Sequence, residues 1–123
     1  MKRILVIDDE DQVRSMLRMM LEREGYEVED AENGEVGIRL FRKKPADVVI
    51  TDILMPEKEG IETIIELRRD FPGAKIIAIS GGGRLRSPEI FLKMAKKFGA
   101  DRIFPKPVER DELLDAVKEL ANV

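Results

Sequence analysis

The sequence contains no cysteine and no histidine. A thiolate nucleophile, an imidazole base and a soft-ligand zinc or copper site are therefore excluded. Tryptophan is absent too, and the uncharged amides are reduced to Gln12, Asn33 and Asn122. Whatever chemistry occurs must use carboxylates, lysines, hydroxyls and hard cations. Long apolar runs are missing as well: the most extended, such as Ile4-Leu5-Val6-Ile7, fall far short of the roughly 20 residues that cross a bilayer and of a signal peptide's core. No membrane contact is expected, and cytoplasmic residence follows, with the lack of cysteine matching a reducing compartment. A basic stripe is also lacking. With a net charge of −3, direct contact with nucleic acid is not expected.

What is present fits one domain. The chain has 123 residues, 43% of them hydrophobic and 38% charged, enough for a real core. No repeat, linker or low-complexity stretch interrupts it, so a single domain over residues 1–123 is expected. The runs Ile4–Ile7, Val48–Ile50 and Ile76–Ile79 do not alternate with polar residues, which suits strands covered on both faces. A weaker strand is predicted over Tyr26–Asp30, and a fifth around Ile103. Helical periodicity lies between them: Val13, Met16, Leu17, Met20 and Leu21 before Gly25, then Val36, Leu40 and Phe41 before Pro45, then Ile61, Ile64, Ile65 and Leu67 before Phe71-Pro72-Gly73. Ser87-Pro88 reads as the start of a fourth helix carrying Phe91, Met94, Ala95 and Phe98 up to Gly99. Leu113, Leu114, Val117 and Leu120 mark a fifth. Five β-α units in succession predict an α/β fold with a parallel sheet, helices on both faces and right-handed crossovers.

Charged residues follow three of the runs. Ile4–Ile7 leads into Asp8-Asp9-Glu10, Val48–Thr51 into Asp52, and Ile103-Phe104-Pro105 into Lys106-Pro107. If these runs are neighbouring parallel strands, their carboxyl ends share one sheet edge, where open α/β sheets bind ligands. Three carboxylates that close repel one another without a counter-ion, so a divalent cation is expected. Each signal has a bland counterpart. The acidic run could merely complement the dipole of the first helix, Asp52 could be a turn residue, Lys106 a loop lysine, and Gly81-Gly82-Gly83 a flexible link. Their joint placement at the ends of the first, third and fifth strands favours a site.

With these residues in place, the whole chain resembles the response-regulator receiver domain of two-component signalling. The marks are Asp8-Asp9, Asp52 followed by Met55-Pro56 and Gly60, Ser80 ending the fourth strand, Gly99-Ala100-Asp101, and Lys106-Pro107. The resemblance implies a flavodoxin-like, doubly wound (βα)5 three-layer sandwich with strand order 2-1-3-4-5. It implies Asp52 as acceptor of a phosphoryl group from a sensor histidine kinase or phosphotransfer protein. Mg²⁺ would be held by Asp8, Asp9, Asp52 and the backbone carbonyl of Leu54. Lys106 and the Ser80 hydroxyl would each meet a phosphoryl oxygen, and small Gly81 would keep the group accessible. A cis Lys106–Pro107 bond and a homodimer through helix 4, strand 5 and helix 5 are further implications. Such a domain is a signalling protein rather than a conventional enzyme.

Three positions depart from the family pattern. Ile103 stands where Tyr or Phe is usual, with Phe104 on the opposite face of the strand. The stretch from Ser80 to Lys106 is a few residues longer than usual, and Leu54 is apolar where polar residues are common. Without the aromatic, output is expected to run through the Gly81–Ser87 loop and the helix after it. Two other readings stay open at this point. Asp9-Glu10-Asp11-Gln12-Val13 has the spacing of a haloacid-dehalogenase-type phosphatase nucleophile motif, and a receiver-like adaptor that is never phosphorylated would share the fold.

Overall fold

The structure is a computed structural model, and it describes residues 1–53, 59–80, 93 and 95–122. Leu54, Met55-Pro56, Gly81 to Gly83, Ser87-Pro88, Phe91 and Met94 lie outside the described residues. Five strands, β1 (Arg3–Ile7), β2 (Glu27–Ala31), β3 (Val48–Asp52), β4 (Ile76–Ser80) and β5 (Arg102–Pro105), form one sheet in the order β2-β1-β3-β4-β5. Every pairing is parallel. The helices are α1 (Asp11–Arg23), α2 (Gly34–Lys43), α3 (Glu59–Asp70), a stretch that includes residues 95–98 (α4), and α5 (Arg110–Ala121). This is the flavodoxin-like, doubly wound order. As that order requires, β4 lies between β3 and β5, so Lys106 reaches the other charged ends from one strand beyond.

The central strands lack alternation because both faces are roofed. Ile4, Val6, Val48, Ile50, Ile77 and Ile79 pack with Leu17 and Leu21 of α1 and Leu113 and Val117 of α5. Leu5, Ile7, Val49, Ile76 and Ala78 pack on the other side with Ile38 and Phe41 of α2, Ile64 and Leu67 of α3, and Ala95 of α4. Each strand therefore sends alternate side chains into two separate apolar layers. Ile103 joins the α2–α3 layer and Phe104 the α1–α5 layer, so the two do face opposite ways. At the edge, β2 carries Glu27 and Glu29, which pair with Arg3 of β1. Such charge blunts an exposed strand edge.

Helix ends follow local chemistry. Gly25 closes α1 at φ 92° and Gly99 follows α4 at φ 127°, a backbone region that favours glycine. Asn33, which the periodicity did not single out, caps α2 by accepting the Val36 N–H at 2.9 Å. The apolar stripes are narrower than the periodicity predicts in three places. Met16 of α1, Ile65 of α3 and Phe98 of α4 are exposed, while Gly34 and Gly37 of α2 are buried instead.

Candidate functional site

The order reverses at β1, whose neighbours β2 and β3 take the chain first one way and then the other. In such a sheet the crevice beyond the carboxyl ends of β1 and β3 is the ligand position. Asp8 follows β1 and is fully buried; its N–H still reaches the Ala31 carbonyl of β2 at 3.1 Å. Asp8 Oδ1 accepts the Glu10 N–H at 2.9 Å, and the Asp8 carbonyl accepts from Arg14 at 2.7 Å, which fixes the turn into α1. Asp9 beside it is exposed. Asp52 is the last residue of β3, and its side chain is only 3% exposed.

Lys106 comes from farther away. Its N–H donates to the Ser80 carbonyl at 2.9 Å, tying the end of β5 to the end of β4. The Lys106–Pro107 bond is cis, the only cis bond among the described residues. From there the side chain crosses the end of β4. Nζ lies 3.0 Å from Asp52 Oδ2, 3.1 Å from Asp8 Oδ2 and 3.0 Å from Glu10 Oε1. Three carboxylates and one ammonium are thus in direct contact.

The cluster is acidic beyond what one lysine balances. Carboxylate oxygens of Asp8, Asp9, Glu10 and Asp52 lie within 4.8 Å of one another. Burial pushes the Asp8 carboxyl above its ordinary value, against the opposing pull of the Glu10 amide and Lys106. Burial works against the Lys106 ammonium as well, but Asp52, Glu10 and Asp8 outweigh it, so Lys106 titrates well above the ordinary lysine range. Asp8 Oδ2 faces Nζ without completing a hydrogen bond. A buried carboxylate oxygen with no hydrogen bond, among three more carboxylates, is a donor set for a hard divalent cation.

Asp8, Asp9, Asp52 and Lys106 are therefore brought together as the sequence suggested. Ser80 is fully buried at the end of β4, one residue beyond Ile79, the register partner of Asp52. Leu54 and Gly81 lie outside the described residues. Glu10 was not singled out as a lysine partner. The available signal was its position: it is the N-cap residue of α1, and Glu is not a favoured cap. Its side chain makes no capping bond and pairs with Lys106 instead, so complementing the helix dipole is not all that Glu10 does. The haloacid-dehalogenase spacing fails on geometry, since Asp11 opens α1 with its side chain exposed and paired to Arg14.

Gly60 earns its place by packing. It sits in the first turn of α3, and a β-carbon there would lie under 3.0 Å from Asp52 O and from the Ile53 backbone. Only glycine lets α3 begin so close to the acceptor strand.

Comparison with known proteins agrees with this geometry. Residues 4–118 match the response regulator receiver domain. The chain is 34% identical to the chemotaxis protein CheY of Halobacterium salinarum, over 97% of this chain and 96% of the relative. It is also similar to the response regulator protein TrrA of Thermotoga maritima, solved in complex with Mg²⁺ and BeF: 40% identity, a TM-score of 0.83, and coverage of 98% of this chain and 99% of that one. A receiver domain protein from Clostridium thermocellum superposes with a TM-score of 0.88 at 33% identity, covering 99% and 95% of the two chains. Family match, sheet order and the acidic crevice with its lysine point the same way: the chain belongs to the response regulator receiver domains, signalling domains of two-component systems.

Proposed function

We propose that the Asp52 carboxylate is the phosphoacceptor, attacking the phosphorus of a phosphohistidine on a sensor histidine kinase or phosphotransfer protein. An aspartyl phosphate forms, and the N–P bond to the donor histidine breaks. The observation that carries this reading is the contact of a nearly buried Asp52 with Lys106 at 3.0 Å, inside an otherwise acidic crevice. Phosphoryl transfer asks little covalent help of a protein beyond the nucleophile; it asks for alignment and charge neutralisation. Lys106 supplies a positive donor to one phosphoryl oxygen. The Ser80 hydroxyl at the end of β4 takes a second, and Gly81 leaves the group open to the donor.

Asp8, Asp9 and Asp52, with the Leu54 carbonyl, are the residues that would hold Mg²⁺. The buried Asp8 oxygen that lacks a hydrogen bond supports that fit. When bound, Mg²⁺ supplies the neutralising charge that lets phosphoryl oxygens approach these carboxylates. The domain spans residues 1–123 and promotes only its own phosphorylation and dephosphorylation. It works in the cytoplasm without membrane or nucleic-acid contact, and presents the face of α4, β5 and α5 to partners, a second copy included.

Incubation with Mg²⁺ and a small phosphodonor, followed by intact mass, tests the assignment. A gain of one phosphate that is lost in Asp52→Ala is expected. A gain that survives in Asp52→Ala, or none in the unsubstituted protein, overturns it.

A further inference from the structure

Lys106 has three N–H donors, and its Nζ has three carboxylate oxygens within 3.1 Å: Asp8 Oδ2, Glu10 Oε1 and Asp52 Oδ2. Only Glu10 and Asp52 complete hydrogen bonds to Nζ, but all three anionic oxygens crowd it, so a phosphoryl oxygen that approaches Nζ is accommodated by moving one of them aside. The three are not equally displaceable. The side chains of Asp8 and Asp52 are 0% and 3% exposed, so neither can turn away into water. Glu10 is 59% exposed, and on release its carboxylate is simply hydrated.

A second observation concerns why Glu10 is there at all. Among the described residues, Glu10 of α1 and Glu109 of α5 both stand at a helix N-cap. Glu109 at the start of α5 caps it, accepting the N–H groups of Asp111 and Glu112 at 3.2 and 2.8 Å. Glu10 occupies the same position on α1, makes no such bond, and is committed to Lys106, 96 residues away in the sequence.

We propose that Glu10 is a latch on Lys106: a positioning residue that occupies the ammonium in the unphosphorylated domain and yields its place to the phosphoryl group. The inference rests on Asp52 being the phosphoacceptor. Glu10 does not touch the reacting atoms; it acts through Lys106, and it opposes phosphoryl binding by the strength of one half-exposed ion pair. Pairs of that kind are weak and screened by salt, so its removal strengthens anion binding about two- to fivefold rather than by orders of magnitude.

The probe is beryllofluoride with Mg²⁺, titrated by amide NMR into the unsubstituted protein, Glu10→Gln, Glu10→Asp and Asp11→Asn. Glu10→Asp keeps the charge but shortens the arm by a methylene, so it breaks the contact while leaving the net charge of the cluster unchanged. Asp11→Asn removes a neighbouring charge that pairs with Arg14 instead. The latch predicts that Glu10→Gln and Glu10→Asp both tighten beryllofluoride about two- to fivefold, that Asp11→Asn does not, and that the gap narrows as salt is raised. In the metal-free proteins the same two Glu10 variants should speed solvent exchange of the Lys106 ammonium protons. Tightening in Glu10→Gln alone would mean only a change of field, and the latch is wrong; the same holds if neither variant changes. Failure of the phosphoacceptor reading looks different, because then no protein in the series, the unsubstituted one included, takes up beryllofluoride.

Discussion

Gly60 of α3 rests directly on the backbone of Asp52, so close that a β-carbon would fall under 3.0 Å from the Asp52 carbonyl oxygen. The obstacle is backbone, not a side-chain tip that can swing aside. Gly60→Ala is expected to push α3 off the end of β3, costing about 1–3 kcal/mol, as overpacking does. Because α3 rests on the backbone of the acceptor residue itself, phosphorylation of Asp52 should slow as well. Chemical denaturation together with phosphorylation kinetics checks both; an unchanged midpoint and rate would refute the close packing.

Asp8 makes a pH prediction of definite sign. Burial raises its carboxyl above the ordinary 3.8, so the folded state holds that proton more tightly than the unfolded chain does. Stability is therefore lost as pH rises from below 3.8 through the folded-state value, and stays lost at neutral pH. Asp8→Asn keeps an oxygen for the Glu10 amide but carries no charge. Without metal it should melt higher than the unsubstituted protein at pH 7, with the advantage fading as pH falls below 3.8. It should also lose most of the stabilisation by Mg²⁺, about 2.7 kcal/mol at one hundred times Kd where a site is intact. Melting curves between pH 3 and 8, with and without Mg²⁺, decide it; a pH-independent difference would refute the assignment.

Lys106 behaves in the opposite sense. Its folded-state value lies above 10.5, so its contribution is complete below that pH and disappears as pH rises through the folded-state value. Lys106→Met leaves Asp8 and Asp52 buried without their counter-charge, a loss of about 3 kcal/mol at pH 7 without metal. Added Mg²⁺ should restore part of it. Urea midpoints at pH 7 and pH 11 test this: the gap between the two proteins should begin to narrow at the higher pH without closing.

Arg68 ties together the far edge of the sheet. Its guanidinium donates to the carbonyls of Pro72 at 2.8 Å, Ala74 at 2.7 Å and Gly99 at 2.6 Å, and pairs with Asp101 at 3.0 Å. Asp101 in turn accepts the Ile76 N–H at 2.8 Å, so the starts of β4 and β5 are joined through one arginine. Arg68→Met should cost about 2–3 kcal/mol, since several carbonyls lose a charged donor at once. The site lies at the opposite ends of these strands, so phosphorylation of the folded variant should be unchanged. A denaturation midpoint equal to that of the unsubstituted protein would refute the clamp.

Much of this molecule can be read from residue order. The apolar runs that do not alternate announce a sheet covered on both faces, and the β-α succession leaves few topologies for a parallel sheet. Placement of Asp8, Asp9, Asp52 and Lys106 at strand ends follows from that succession, because parallel strands put all their carboxyl ends on one edge. The opposed faces of Ile103 and Phe104 follow from strand alternation, whereas the cis bond at Lys106–Pro107 follows only from the family resemblance. Other features depend on distances between segments remote in sequence. Sequence periodicity does not separate a buried Asp8 from an exposed Asp9, because that depends on which residue the turn into α1 aims at the crevice. Nothing local sends Glu10 to a lysine 96 positions on rather than to its own helix. The need for glycine at position 60, and for arginine at position 68, arises only when α3 has been laid against the sheet. Local pattern decides which face of an element is apolar and where its ends fall; the protonation, pairing and close contacts of the site belong to the packed chain, because they depend on water excluded by segments that meet only there.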